Sequence, residues 1–439
     1  MVIFVAALLV TAGVTATGSA AAERKSLSEC IDVALERHPD LGAAGAAIDA
    51  GHQRILQAAS AALPQVDASY GANRRNASAT SRTGAPIDTT RGGSGGARTF
   101  NFYSASVGLT QLLFDFGQTL NAIRAARATE RSLDQDRETV RQTVVFDVER
   151  SYFDVLRSAR LLGVADENVR QSRQHLDLAD SRLQVGLAPR FDVTQAQVQL
   201  ANAELAQVTA RNHVAVAREN LGTAMGLDGA PEFELVDLLD ARTAPVSAAS
   251  AVAQAKANRP ELRSRREQEE ALAQQVAALQ KSYLPNVTGD ASYNWTATEY
   301  PLKSNWSFGA SVNLSVFNGG LTTAEIGEAR ANLAQLRYQT RSLEQQIGRE
   351  VRQSVLDVAR GAEAIRVSER ALGQARENLE LAEGRYHTGV GNIIELTDAQ
   401  ASLVGAEASH VQALADYRTA RATLDRATAR PIISAEATR

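Results

Sequence analysis

Two carboxylates near the C-terminus have a type and spacing that could do chemistry. Glu395 and Asp398 are three residues apart, so on a helix their side chains project from the same face. Carboxylates arranged around a pore attract cations. On an arbitrary helix such a pair would ordinarily belong to a solvated face. The chemistry of this pair therefore depends on the elements that position it.

Catalytic and metal-binding combinations are missing from the sequence. Cys30 is the only cysteine, so an internal disulfide is impossible, and neither a CxxC nor an HExxH motif occurs. The six histidines show no metal-ligand spacing, and the chain offers no set of nucleophile, base and orienting group. We predict no catalytic residue, metal site or cofactor, which disfavours an exported enzyme.

The charge balance argues against a nucleic-acid partner. The 439 residues include 46 Lys and Arg against 50 Asp and Glu, a net charge of −4, and only 5% aromatic residues. Nucleic-acid binding needs a basic excess to neutralise phosphates, or aromatic side chains interleaved with basic ones. Neither pattern is present, so no nucleic acid is expected.

The N-terminal segment has the order of an export signal. An apolar run from Val2 to Val10 is followed by small residues up to Ala22 and then by polar residues from Glu23. This predicts a secretory signal peptide over 1–22, although the usual basic start is missing. The remaining chain has no apolar run long enough for a membrane-spanning helix, so a membrane-embedded part would have to be a β-barrel.

The chain contains an internal duplication. Pro39 recurs as Pro260, 221 residues later, whereas Gly186 recurs as Gly389, 203 residues later. The 18 additional residues of the first copy lie in a glycine-rich stretch around 83–96, which predicts a flexible loop. The predicted units are a first repeat (23–227), a linker (228–248), a second repeat (249–430) and a tail (431–439).

Each repeat contains two segments in which apolar and polar residues alternate. Tyr293 and Trp295 alternate with Ser292 and Asn294, and the segment around Trp306 has the same pattern. A period of two predicts strands with one apolar and one polar face. Strands of this length suit the wall of a membrane barrel, and an amphipathic sheet in a soluble protein is the alternative. The predicted strands cover 64–76, 100–113, 285–298 and 305–317.

Long proline-free tracts follow the strands. Apolar residues recur every seven positions, in a series that includes Val148 and Val155 in the first repeat and Val351 in the second. A strict seven-residue period predicts left-handed coiled coils. Alanine recurs every seventh residue from Ala196 and from Ala399, which lets a neighbouring helix approach closely. The predicted helical hairpins cover 118–226 and 320–429.

These elements do not complete a closed structure in one chain. Four strands are too few for a barrel, whose diameter depends on strand number and tilt. Three copies would supply twelve strands and leave no exposed sheet edge. We therefore predict a mainly helical homotrimer, in which coiled-coil hairpins form an α-barrel and the strands form a 12-stranded membrane β-barrel.

The order and spacing of several motifs resemble the TolC family of outer-membrane efflux and secretion channels. The resemblance covers about 26–430. The motifs are the Pro39 and Pro260 helix breaks, Phe114-Asp115-Phe116-Gly117 after a strand, Ser151-Tyr152-Phe153-Asp154-Val155-Leu156, and the turns Arg182-Leu183-Gln184-Val185-Gly186-Leu187 and Tyr386-His387-Thr388-Gly389-Val390.

The resemblance implies a passive exit duct of a tripartite efflux pump or a type I secretion system. Such a duct is a homotrimer in the outer membrane of a Gram-negative bacterium, in contact with lipid, and extends into the periplasm. Its partners would be a periplasmic adaptor protein and an inner-membrane transporter of the RND, ABC or MFS type. An exported periplasmic coiled-coil adaptor or scaffold is the alternative. It is disfavoured because an adaptor has one hairpin, whereas here two hairpins alternate with strand pairs.

The resemblance also implies functions for residues at the hairpin tips. Glu395 and Asp398 match an inward-facing acidic pair, which would give a trimer a constriction of six carboxylates. Tyr386 and Asp192 match a tyrosine and an aspartate whose hydrogen bond holds the tip closed. The residues that match adaptor-docking turns are Val185, Gly186, Leu187, Thr388, Gly389 and Val390.

Two tip positions depart from the family pattern. Well-known members have an arginine where this chain has Gly391, and a threonine where it has Phe191. A second closing link is therefore predicted to be absent. At the opposite end, Trp295 and Trp306 lie on apolar strand faces and are predicted to lie at the membrane interface.

Overall fold

The computed structural model describes residues 24–77, 98–240 and 246–430. The predicted signal peptide, the predicted glycine-rich loop at 83–96 and the predicted tail lie outside these residues. No helix in the described part is both long enough and apolar enough to cross a membrane.

The described part consists of two similar series of elements. The first comprises β1 (Arg24–Lys25), α1 (Leu27–Arg37), α2 (Pro39–Ser60), β2 (Gln65–Ala77), β3 (Arg98–Phe114), α3 (Gln118–Gln184) and α4 (Arg190–Ala224). After β4 (Glu234–Leu235), the second comprises α5 (Ala248–Asn258), α6 (Pro260–Lys281), β5 (Asn286–Ala297), β6 (Lys303–Asn313), α7 (Leu321–Thr388) and α8 (Ile393–Ala427). The predicted duplication is thus visible as a repeated order of elements.

Local sequence signals explain where the helices begin. Pro39 and Pro260 occupy the first turn of α2 and α6, where a missing backbone N–H costs no helical hydrogen bond. At the start of α3, the Asp115 carboxylate accepts hydrogen bonds from the N–H groups of Gly117 at 2.9 Å and Thr119 at 2.6 Å. The chain turns from β3 into α3 because Gly117 adopts the left-handed conformation, with φ of 82°.

Four of the strands form one antiparallel sheet in the order β2-β3-β5-β6. Val107 lies opposite both Ala68 and Tyr293, and Tyr293 lies opposite Trp306, so these residues share the apolar face. On the other face, hydroxyl groups pair across the strands, as in Ser69 with Ser106 at 2.8 Å. Further pairs are Thr288 with Ser311 and Ser292 with Ser307, each at 3.0 Å. The sheet therefore has the predicted two chemically distinct faces, and β2 and β6 are its edges.

The last strand ends earlier than its sequence pattern predicts. The alternation extends to 317, but β6 ends at Asn313. The reason is the register, since Asn313 pairs with Asn286, the first residue of β5. Beyond that pair β5 offers no further partner, so the alternating Leu314 and Val316 lie outside the strand, both exposed.

The two long hairpins form a wall of helices. Helices α3 and α7 have 67 and 68 residues, which at 1.5 Å per residue is about 100 Å each. Within the chain α4 packs on α3, α3 packs on α8, and α8 packs on α7. At Gly361 of α7 a Cβ atom would lie only 3.2 Å from the Cα atom of Tyr417 on α8, so the helices are in close contact there.

The largest core lies at the middle of the long helices, where the shorter elements surround them. Val148, Tyr152 and Val351 are completely buried in it, together with Leu239 of the linker region. The Tyr152 hydroxyl donates to the carbonyl of Val236 at 2.6 Å, which fastens this region to α3. The seven-residue apolar series of both repeats therefore passes through one common core.

Candidate functional site

The two hairpin tips have the same backbone geometry. Gly186 and Gly389 adopt left-handed conformations, with φ of 76° and 80°. In each tip the residue after the glycine donates a hydrogen bond back to the helix end. The Leu187 N–H donates to the Arg182 carbonyl at 2.8 Å, and the Val390 N–H donates to the Arg385 carbonyl at 3.0 Å. This is a Schellman arrangement, which favours glycine because a Cβ atom is disfavoured at positive φ.

Tyr386 and Asp192 come together between the two hairpins. The Tyr386 hydroxyl at the end of α7 donates to Asp192 Oδ2 at the start of α4, at 3.4 Å. The Tyr386 side chain is buried, in a cluster with Ile393 and Leu396 of α8. Burial, followed by the charge of Asp192, raises the pKa of the Tyr386 phenol. The phenol therefore remains a protonated donor to Asp192.

Arg182 is a third member of this contact, and no function was assigned to it from the sequence. Its guanidinium lies 4.8 Å from the centre of the Tyr386 ring and donates to the Tyr386 backbone carbonyl. It also lies against Gly389, 3.4 Å from where a Cβ atom would be. A positive charge at a helix C-terminus is favourable. Arginine occurs at the equivalent position of both repeats, and this recurrence is the sequence signal that could have identified it.

The acidic pair is exposed at the beginning of α8. Glu395 and Asp398 share an exposed face, whereas Leu396 and Ala399 are buried on the opposite side. The Glu395 carboxylate is not isolated, because Oε2 lies 3.3 Å from Arg385 Nε. An exposed ion pair of this kind contributes little to stability, but it compensates the charge of Glu395.

Gly391 lies at the position where well-known members of the TolC family have an arginine. A Cβ atom there would lie 3.0 Å from the Cβ of Arg385 and 3.1 Å from the backbone nitrogen of Tyr386. The tight return of the chain onto the end of α7 therefore favours a residue without a side chain. Phe191, the other departure, is exposed at the start of α4.

The turn residues expose apolar side chains. Val185, Leu187 and Val390 are 68%, 71% and 72% exposed, and Ile394 is also exposed close by. The Thr388 hydroxyl instead donates to the carbonyls of its own helix, to Gly384 at 3.0 Å and Arg385 at 3.1 Å. Such a cluster of exposed apolar residues at the end of a helical wall is typical of an interaction site.

At the other end of the protein, aromatic residues gather on the apolar face of the sheet. The Trp295 ring packs against Tyr293 with centroids 4.6 Å apart, and the Trp306 ring stacks on Phe308 at 5.9 Å. These residues lie towards the turn between β5 and β6. Phe114, at the opposite end of the sheet, packs against Phe116 at 4.7 Å. Aromatic residues thus mark both ends of the apolar face.

Comparisons with known proteins agree with this architecture. The profile of the outer membrane efflux protein family matches residues 30–227 and 251–430. Outer membrane efflux protein BepC of Brucella suis is 27% identical over 97% of this chain and 90% of its own length. Outer membrane protein TolC of Escherichia coli is 25% identical, over 91% and 81%. The crystal structure of the Campylobacter jejuni CmeC outer membrane channel superposes with a TM-score of 0.78 and 16% identity, covering 92% of this chain and 85% of CmeC.

The profile match covers both repeats and their four long helices, and the structural match extends the likeness to the fold of sheet and helical hairpins. The chain therefore belongs to the outer membrane efflux protein family.

Proposed function

We propose that this protein is the homotrimeric exit duct of a tripartite efflux pump or type I secretion system. It would lie in the outer membrane and conduct cargo passively, without catalysis. The observation that carries the proposal is the four-stranded sheet, which continues into two helical hairpins whose first helices, α3 and α7, are about 100 Å long. This combination suits the wall of a duct that has a lipid-facing sheet and a long periplasmic extension.

The chemistry of the two sheet faces supports a position in the membrane. The face with Trp306, Phe308 and Val312 is apolar and largely exposed in one chain, as a lipid-facing surface would be. The other face has paired hydroxyl groups, which suit a water-filled lumen. With aromatic residues at both ends, the apolar face has the pattern of a membrane-spanning band, and Trp295 and Trp306 would lie at one interface.

Unpaired edges support assembly from several copies. Within the described ranges, the order β2-β3-β5-β6 leaves β2 and β6 each with one unpaired side. Helices α4 and α7 are the outer members of the helical wall, and both carry exposed apolar residues, such as Leu205 and Val208 on α4 and Leu356 and Leu381 on α7. Three copies would pair the strand edges in a 12-stranded barrel and cover these helix faces.

The tips would receive the other components of the pump. The exposed turn residues Val185, Leu187 and Val390, with Gly186, Thr388 and Gly389, form the surface on which we place a periplasmic adaptor. Such apolar contacts suit helix-on-helix docking. An inner-membrane transporter of the RND, ABC or MFS type would supply the energy.

Fractionation tests the proposal against the alternative of a soluble periplasmic adaptor. We expect the mature protein in the outer-membrane fraction, migrating as a trimer in detergent before heating and as a monomer after it. A monomer in the soluble periplasmic fraction would contradict the proposed duct and favour the adaptor. As a control for the assay, a known outer-membrane porin and a soluble periplasmic protein should separate in the same gradient.

We propose that the acidic pair forms the constriction, and cation block tests this. In a trimer Glu395 and Asp398 would bring six carboxylates around one axis, where a trivalent cation would bind and block current. Replacing both by Ala should raise the half-blocking concentration by roughly tenfold or more, as expected for a loss of about 1.4 kcal/mol in binding. Asp398→Ala alone should raise the half-blocking concentration more than Glu395→Ala alone, because Arg385 already compensates the charge of Glu395 at 3.3 Å.

Asp416→Ala is the matched control for this measurement. Asp416 is exposed on the same helix, 18 residues after Asp398. This distance is five helical turns, so Asp416 lies on the same face, about 27 Å from Asp398. Its substitution should leave the block unchanged. If block persists in the double Ala variant, the constriction lies elsewhere in the duct.

A further inference from the structure

The two tips carry the same charged residues at equivalent positions. Arg182 and Arg385 each precede the tip glycine by four residues, and Asp192 and Glu395 each follow it by six. Because both turns have the same Schellman geometry, each hairpin could in principle form an internal pair between its arginine and its acid.

Only the second hairpin forms this internal pair. Arg385 Nε lies 3.3 Å from Glu395 Oε2, within one hairpin. In the first hairpin, Arg182 reaches across to the other hairpin, where it contacts the ring and the carbonyl of Tyr386. Asp192 accepts a hydrogen bond from the hydroxyl of the same tyrosine at 3.4 Å. Arg182 and Asp192 therefore both contact Tyr386 instead of each other.

The position of Arg182 leaves part of its hydrogen-bonding capacity unused. Its Nε atom is buried, with no hydrogen-bond partner among the described residues. An arginine paired with a carboxylate normally uses its donors in a planar fork. Arg385 uses this same Nε atom for its contact with Glu395, so the contact with Tyr386 leaves unused the donor that the equivalent arginine employs.

We propose that Arg182 is a gating residue that exchanges partners when the tip opens. In the closed tip it holds the end of α7 through Tyr386. When the two hairpins separate, it pairs with Asp192 within its own hairpin, in the geometry that Arg385 and Glu395 already display. The inference rests on the proposed duct function. A switch needs contacts that differ between its two states, and this exchange gives Arg182 and Asp192 a different partner in each.

Dwell times of single channels test the exchange. Purified trimers in planar bilayers give the closed and open times of the wild-type protein and its variants. Arg182→Gln should shorten both, each by about threefold or more, because both states lose a contact. Arg182→Lys should restore the open times, since an ammonium group can still pair with Asp192. It should not restore the closed times, because an ammonium group cannot both lie over the Tyr386 ring and reach its carbonyl as the planar guanidinium does.

Asp192→Asn supplies an independent check. It should shorten the open times as Arg182→Gln does. The variant that combines the two substitutions should have open times no shorter than those of either single variant, because each substitution removes the same pair. The matched control is Arg173→Gln. Arg173 lies on α3 and pairs with Glu204 of its own hairpin at 3.3 Å, away from the tip. Its substitution should leave both dwell times unchanged.

The outcomes separate this inference from the proposed function. If the wild-type protein forms no channels, the duct function is contradicted and the exchange with it. If it forms gated channels but Arg182→Gln leaves the open times unchanged or longer, Arg182 has no partner in the open tip. The partner exchange is then wrong, while the duct function stands.

Discussion

Replacing Tyr386 by Phe and Asp192 by Ala is expected to raise the resting conductance of the isolated channel several-fold. The hydrogen bond between these residues, at 3.4 Å, joins α7 to α4 and hence the two hairpins. A hydrogen bond to a charged group contributes about 1.5–3 kcal/mol, so its loss should shift a closed tip towards open states. Conductance of single trimers in planar bilayers, without adaptor or pump, measures the effect.

Two comparisons make this experiment specific. Tyr386→Phe alone breaks this bond and leaves Asp192 free to pair with Arg182 in the open tip, so it should raise the conductance at least as much as the double variant. The control variant combines Tyr338→Phe with Asp180→Ala, which alters an exposed tyrosine of α7 and an exposed aspartate of α3. It should conduct like the wild type. Unchanged conductance in the Tyr386 and Asp192 variant would show that this bond does not hold the tip closed.

Gly222→Ala is expected to be the most destabilising single-methyl substitution in the helices. Gly222 lies in the last turn of α4, and the following segment folds back across it. A Cβ atom there would lie 2.0 Å from the carbonyl oxygen of Gly229 and 2.9 Å from its carbonyl carbon. Because backbone must move to relieve the overlap, we expect a loss at the upper end of the about 1–3 kcal/mol typical of overpacking. The thermal midpoint of helical circular dichroism measures it.

Gly163→Ala is the matched control for this substitution. Gly163 lies within α3, and no atom lies within 4 Å of a Cβ built on it. Alanine favours helix over glycine by about 1 kcal/mol, so this variant should have an equal or higher midpoint. If Gly222→Ala unfolds at the same temperature as Gly163→Ala, the segment after α4 is not packed against Gly222.

Most of the fold could be predicted because its signals are periodic and repeated. The alternating residues around Trp306 and the seven-residue series through Val148 each specify a type of element by period alone. The duplication confirms each signal independently, since Pro39 and Pro260 both begin a helix. The end of β6 was predicted wrongly, because the pattern continues in sequence after the partner strand has ended at Asn286.

The candidate site was only partly accessible to sequence reasoning. Matching positions drew attention to Tyr386 and Asp192, which lie 194 residues apart and prove to be hydrogen-bonded. The constriction and docking functions of the remaining tip residues are still predictions. Arg182 and Arg385 were missed, because identical residues in equivalent turns gave no indication that their partners differ.

By itself, then, the sequence determined the repeated order of elements, the two-faced strands and the long coiled-coil helices. These follow from local periodicity, which each segment carries without reference to the others. Only the tertiary structure decided that Arg182 reaches across to Tyr386 while Arg385 remains with Glu395. The physical reason is that the two hairpins have nearly the same local geometry but different neighbours. The partner of a charged side chain depends on those neighbours and not on its own segment.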